Sequence, residues 1–183
     1  MEEFDLYDRE RLPSGKKIAR GKTPPDGLYH VVVHVCIFNS AGEMLIQKRS
    51  RLKRAWSGLW DFSLGGAVQA GETSAQAAQR ELSEELGLNF DFSNLRPKFT
   101  FNFASGFDDV YVLFLNPDLE KLQLQADEVS EVKWATKEDI HQMIDAGAFI
   151  DYHHSVIDFL FEIKDESSMF KNGMPPKSFT SYS

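Results

Sequence analysis

Cysteine is nearly absent from this chain. Cys36 stands alone among 183 residues, which excludes an intramolecular disulfide framework. It lies within an apolar run and reads as a buried structural thiol rather than a nucleophile. Long apolar runs are also missing. No stretch approaches the ~18 residues of a membrane-spanning helix, and no charged-then-apolar leader opens the chain, so a cytoplasmic protein is expected. Basic residues are in deficit, 20 Lys and Arg against 28 Asp and Glu, for a net charge of −8. That balance disfavours nucleic-acid polymers and anionic membranes as partners and is compatible with cation binding. There is no internal repeat and no linker to a second large domain. What is present is a globular composition, with 42% apolar residues and 15 Phe, enough for one domain with a sizeable core.

Residues 1–28 read as a hairpin or arm ahead of the main domain. FDLYD alternates apolar and polar residues, LPSGKK supplies a turn, and KIARGK returns as a second strand. Lys16, Lys17, Arg20 and Lys22 make this arm locally basic. That is either a solvated surface or an attraction for phosphate at a neighbouring site. From residue 29 the signal strengthens. YHVVVHVCIFN is a central strand by its β-branched content, SAGE a turn and MLIQKRS the returning strand. A basic cluster follows, Lys48, Arg49, Arg51, Lys53 and Arg54. It is an ordinary basic loop or a seat for a polyphosphate. Trp56 and Trp60 read as packing residues. Further on, NFDFSNLRP is a connector with a short strand. KFTFNFAS and DVYVLFLN are strands joined by SGFDD, a loop that would place Asp108 and Asp109 at a strand end. A strand ends near Trp134, Thr136 starts a helix that Gly147 stops, and a terminal helix carries Val156, Ile157, Leu160 and Ile163 on its core face. The main domain is thus residues 29–163, and residues 164–183 form a tail expected to be poorly ordered. Mixed strands with helices before and after them imply an α/β sandwich.

The segment GAVQAGETSAQAAQRELSEELGL, from Gly66 to Leu88, carries the chemistry. Thr73 with Gln76 makes a capping box, Ala75, Ala78, Leu82 and Leu86 form an apolar stripe, and Gly87 fits the C′ position. Glu81, Glu84 and Glu85 then share a helix face that points away from the core. Like charges at this spacing repel, so the arrangement is costly unless a cation sits among them. Oxygen donors on a rigid helix suit a hard cation, Mg²⁺ or Mn²⁺.

These residues resemble the Nudix box: G, five residues, E, seven residues, then R-E-U-x-E-E-x-G-U, with U aliphatic. Gly66, Glu72, Arg80, Glu81, Leu82, Glu84, Glu85, Gly87 and Leu88 fill every constrained position. A chance match is on the order of 10⁻⁹ per window. The resemblance implies a Nudix-type α/β/α sandwich with a mixed β-sheet. It also implies a MutT-like pyrophosphatase that cleaves a nucleoside diphosphate linked to a further moiety X, or a related small-molecule diphosphate. On this resemblance Glu81, Glu84 and Glu85 are metal ligands, with the Gly66 carbonyl as an additional one. Arg80 orients the glutamates through a salt bridge, with Glu84 as a candidate partner, Glu72 closes the loop, and Gly87 ends the helix. Glu81, Glu128 and Asp109 are all candidates for the general base, and Arg49, Arg51 and Arg54 for substrate binding. Nudix proteins are often dimers, so a homodimer is in keeping with the resemblance.

YHVVVHVCIFNSAGEMLIQKRS, WSGLWDFSLGG and ADEVSEVKW further resemble the type I isopentenyl-diphosphate isomerase branch of the superfamily. His30 then matches a metal-binding histidine, and Asp108 and Asp109 fall near the isomerase's acidic loop. The isomerase's catalytic cysteine and nearby histidine, however, fall on Gly65 and Ala67. Glycine has no group to move a proton onto or off an alkene, so an isomerase-like frame that retains hydrolysis is expected. His30 is either a ligand or a strand histidine with a satisfied hydrogen bond, and His34 is more readily the latter. A non-catalytic diphosphate-binding module is the other alternative. Substrate choice is expected to rest on residues 104–109, 56–60 and 149–154.

Overall fold

A computed structural model describes residues 2–165. The expected disordered tail falls almost wholly on residues 166–183, outside the described part. The chain opens with a two-stranded antiparallel hairpin, β1 (Glu3–Tyr7) and β2 (Pro13–Ala19). The turn lies at residues 8–12 rather than at LPSGKK, which is instead strand from Pro13 onward. The cause is local: the Asp8 carboxylate accepts from the Glu10 and Leu12 backbone N–H groups at 3.0 and 2.8 Å, and Arg11 takes a positive φ of 61°.

The central strand is β3 (His30–Phe38). It runs parallel to β8 (Gly106–Phe114) along its whole length and antiparallel to β6 (Leu64–Ala67) over Val32–Val35. The outer edge beyond β8 is β7 (Phe99–Phe103). β4 (Met44–Arg49) meets β3 only at Phe38–Met44, then diverges to pair with β9 (Val129–Ala135) and the short β5 (Trp60–Asp61). The sheet is mixed, as expected.

Period-two alternation along β3 divides the core. Val31, Val33, Val35 and Ile37 pack with Ala78, Leu82 and Leu86 of α1 (Ser74–Leu86). Cys36 and Phe38 join the opposite cluster, with Ile140 of α2 (Lys137–Asp145) and Ile157 and Leu160 of α3 (His154–Ile163). A strand covered on both faces is apolar throughout, which is why β3 reads as a continuous hydrophobic run. Cys36 is fully buried and its thiol is held well above the usual range by that burial, consistent with a structural role. The connector at residues 89–97 has no strand among the described residues.

Asp108 and Asp109 are not in a loop. The β7–β8 turn is tight, and both lie within β8, where alternation sends them to opposite faces. Asp109 faces the α1 side and is fully buried; Arg11 forks onto its two oxygens and Thr100 donates at 2.6 Å. Asp108 faces the α3 side, where both its oxygens lie within 2.8–2.9 Å of His34 Nδ1. Burial alone would lower the His34 pKa, but the Asp108 carboxylate outweighs it and raises the value to about 9. A histidine raised in the folded state from about 6.5 contributes stability that is full below that value and is lost as pH rises through 9. Urea unfolding between pH 6 and pH 9.5 is expected to show a loss of about 3 kcal/mol that His34→Asn abolishes.

Candidate functional site

Helix α1 forms as its sequence dictates. The Thr73 hydroxyl accepts from Gln76 N–H at 3.3 Å, and the Gln76 amide oxygen accepts from Thr73 N–H at 2.8 Å. Gly87 closes the helix at φ 68°. A Cβ at Gly87 would also lie 2.8 Å from Gln123 Cβ, so the position is tight as well as left-handed.

Arg80 ties the helix to the loop before it. Its Nε and Nη2 donate to the two oxygens of Glu72 at 2.9 and 3.0 Å, and Nη2 also reaches the Ala67 carbonyl at 3.1 Å. Nη1 donates to Glu81 at 2.7 Å and to Glu84 at 3.2 Å. Glu72 in turn accepts from Gln69 N–H at 3.0 Å. One guanidinium therefore closes the loop and offsets two of the three clustered charges. Bonding to Glu72 first, and to Glu81, raises the Arg80 pKa, so the cation is permanent.

The glutamates line a small pocket of about 110 Å³ together with Gly66, Lys53, Gln125 and Glu128. Glu84 is half exposed. Glu85 is the most deeply placed: the residue is 3% exposed, and its Oε2 has no hydrogen-bond partner. It lies at the margin of the apolar stripe and is more buried than a face turned away from the core would allow. Burial, reinforced by the Glu81 charge, pushes its pKa up to about 8. Burial likewise raises Glu81, although Arg80 opposes it. Gly66 permits this crowding. A Cβ there would fall 2.1 Å from Glu81 Oε1, in space that the carboxylate occupies. Glu128 faces the same pocket and is held by Lys53.

The donor set fits a hard divalent cation. A buried carboxylate oxygen without a partner, a second carboxylate pressed against a glycine, and the absence of thiolates or imidazoles around the pocket all suit Mg²⁺ or Mn²⁺. Among the described residues no three acidic or imidazole groups are already gathered into a complete metal shell. Arg80 holds Glu81 and Glu84 instead, so cation binding would have to reorient those carboxylates.

Other candidates fall elsewhere. Asp109 does not line the pocket, and its oxygens are taken by Arg11 and Thr100. His30 does not line it either. Its Nδ1 lies 2.9 Å from the Ser105 carbonyl, and its ring packs between Phe4 and Phe103. In this arrangement the ring nitrogen Nδ1 is satisfied by a backbone carbonyl. Arg49 and Arg54 line a wider cleft adjoining the pocket, whereas Arg51 lines neither. Arg49 also pairs with Asp61 at 3.3 Å. Trp60 is buried beneath Lys133 and Lys48, but Trp56 is 58% exposed, against the packing role expected of it. Residues 104–109, 56–60 and 149–154 do not line the pocket or the cleft. Phe149 and Ile150 are core residues, and Tyr152 stacks on Phe62. The residues in their place are Glu2 and Arg20 from the hairpin and Lys53. The basic character of the two stretches signalled Arg20 and Lys53, and nothing in the sequence signalled Glu2.

The family model described as NUDIX domain matches residues 28–154. An uncharacterized Nudix hydrolase of Listeria innocua is 43% identical over 169 residues, covering 92% of this chain and 99% of its own. An isopentenyl-diphosphate Delta-isomerase of Escherichia coli is 29% identical over 146 residues, covering 77% of this chain and 80% of its own. Among solved structures, the protein DR0079 of Deinococcus radiodurans superposes with a TM-score of 0.72 at 28% identity, covering 86% of this chain and 98% of its own.

Gly66→Ala tests the crowding directly. The added methyl displaces the Glu81 carboxylate, so Mn²⁺ affinity measured by calorimetry is expected to fall at least about tenfold. Thermal stability is expected to change by less than about 1 kcal/mol, because the clash is with a flexible side-chain end.

Proposed function

The chain belongs to the Nudix family, and on that premise we propose that it cleaves the phosphoanhydride of a nucleoside diphosphate linked to X, or of a related small diphosphate. Family membership makes it a pyrophosphohydrolase. The narrower reading rests on the pocket. One observation carries it: the buried, unpartnered Glu85 oxygen beside Glu81 and Gly66 at the floor of a pocket edged by Lys53.

In this reading Glu81, Glu84, Glu85 and the Gly66 carbonyl hold Mg²⁺ or Mn²⁺. When bound, such a cation offsets diphosphate charge and lowers the pKa of an attacking water. The protein's own part is positional. Arg80 and Glu72 fix the loop so that Gly66 faces Glu81. Lys53, drawn from Glu128 by the incoming anion, contacts a phosphoryl oxygen. Glu128, released from Lys53, is the carboxylate best placed to take the water's proton, since Asp109 is engaged elsewhere. Arg49 and Arg54 face the substituent carried by the diphosphate.

Isomerase activity is disfavoured by geometry as well as by residue type. A Cβ at Gly65 would lie 2.6 Å from His34 Cδ2, and His34 is fixed by Asp108. The position where the isomerase carries its cysteine is thus closed to a side chain.

Glu84→Gln and Glu85→Gln are expected to lower phosphate release from nucleoside diphosphate and dinucleotide substrates about 100-fold or more while the far-ultraviolet circular dichroism is kept. Mn²⁺ should raise the melting temperature of the wild type and not of Glu85→Gln. Unchanged turnover in both variants would contradict the assignment.

A further inference from the structure

Glu2 and Arg20 form an ion pair at the open end of the β1–β2 hairpin. Their backbones continue the ladder one step beyond the Glu3–Ala19 pair, with Arg20 N–H donating to the Glu2 carbonyl at 2.9 Å. The two side chains are therefore cross-strand neighbours. Both line the pocket that holds Glu81, Glu84 and Glu85, and both line the adjoining wider cleft. They stand on the boundary between the two spaces. The hairpin itself lies outside residues 28–154, which the family model matches.

The scaffold beneath this pair is firmly docked. The Glu3 carbonyl accepts from Ala70 N–H at 2.8 Å, the Asp5 carboxylate from Gly71 N–H at 2.7 Å, and the Glu2 carboxylate from the Gln69 amide at 3.0 Å. All three bonds end on the loop that runs from Gly66 into α1. At the other end of the strand, Tyr7 and Tyr29 exchange backbone bonds at 2.8 and 2.9 Å. Arg11, in the hairpin turn, is anchored on buried Asp109. The hairpin is thus tied to the element that positions the glutamates, while the Arg20 side chain stays 59% exposed.

Charge then decides what the pair is for. Three glutamates of α1 repel an incoming diphosphate, and a cation at the mouth must counter them. Arg20 is placed to do so, and its guanidinium matches phosphoryl oxygens two at a time. Its present partner is weak competition. An exposed carboxylate–guanidinium pair is weak in water, whereas a diphosphate presents a higher charge to the same fork.

We propose that Arg20 binds the diphosphate of the substrate and that Glu2 is its internal placeholder, holding the guanidinium until the substrate displaces it. This rests on the hydrolase reading above and extends the substrate site beyond residues 28–154 to the N-terminal hairpin. The substrate class it selects is a diphosphate ester that reaches from the glutamate pocket past Arg20, with its substituent in the outer cleft.

The placeholder role has an unusual consequence, because the two halves of the pair have opposite effects. Calorimetric binding of methylenediphosphonate, a diphosphate that is not hydrolysed, is measured on the full chain with Mg²⁺. Arg20→Ala is expected to weaken binding about tenfold, with partial recovery in Arg20→Lys. Glu2→Gln is expected to tighten it about two- to fivefold. The double variant should match Arg20→Ala. Lys16→Ala, which removes an exposed hairpin charge away from both cavities, should match the wild type. Equal weakening by Arg20→Ala and Glu2→Gln would show that the pair only holds the hairpin and would overturn the proposal. So would an unchanged affinity in Arg20→Ala. The Michaelis constant for whichever diphosphate the wild type hydrolyses separates the two levels. Hydrolysis with an unaltered KM in Arg20→Ala removes Arg20 and leaves the hydrolase reading standing. A wild type that neither binds nor hydrolyses diphosphates removes both.

Discussion

Everything at the site depends on one guanidinium. Three glutamates on a single helix face are electrostatically unfavourable, and Arg80 is the residue that makes the face tolerable. It forks onto Glu72, reaches the Ala67 carbonyl and donates to Glu81 and Glu84. The same contacts fold the loop back over the helix so that Gly66 meets Glu81. What Arg80 does not reach is Glu85, whose buried oxygen is left without a partner. The carboxyl that Arg80 leaves unpaired lines the pocket, which is where a cation is useful.

The helix and its box were legible in the sequence because every determinant is local. Thr73, Gln76 and Gly87 fix the ends of α1 within a few residues of one another, and the carboxylate spacing follows from 3.6 residues per turn. The central strand was equally legible, since an unbroken β-branched run admits few other readings. The pairings that cross the chain were not. Arg11 meets Asp109 across 98 residues and His34 meets Asp108 across 74, and no local pattern announces either. A buried ion pair and a catalytic acid look alike as letters. Asp109 reads as a base candidate by its letters, while in the fold its oxygens are occupied by Arg11 and Thr100. The contact of His30 was hidden for a similar reason: it goes to a backbone carbonyl, which has no sequence signature.

The hairpin shows how a correct local reading can still misplace a function. Two strands and a turn were expected, and two strands and a turn are present, shifted by the Asp8 side chain onto residues 8–12. Its basic residues divide by strand alternation and docking: Lys16 and Lys17 stay in solvent, while Arg20 is carried to the mouth of the glutamate pocket. The basic cluster after β4 divides likewise, with Lys53 turned to the pocket, Arg49 and Arg54 to the cleft, and Arg51 to neither. Residues 104–109 and 149–154 line neither space, because the fold uses them as a tight turn with the start of a strand and as core.

In the proposed hydrolase the buried face of α1 and the Gly66 carbonyl together hold the divalent cation. Anomalous diffraction from crystals soaked in Mn²⁺ tests it most directly. A peak within coordination distance of Glu85, Glu81 and the Gly66 carbonyl oxygen, with Glu81 rotated off Arg80, is the predicted result. A peak at His30 or elsewhere, with the α1 carboxylates still held by Arg80, would contradict it.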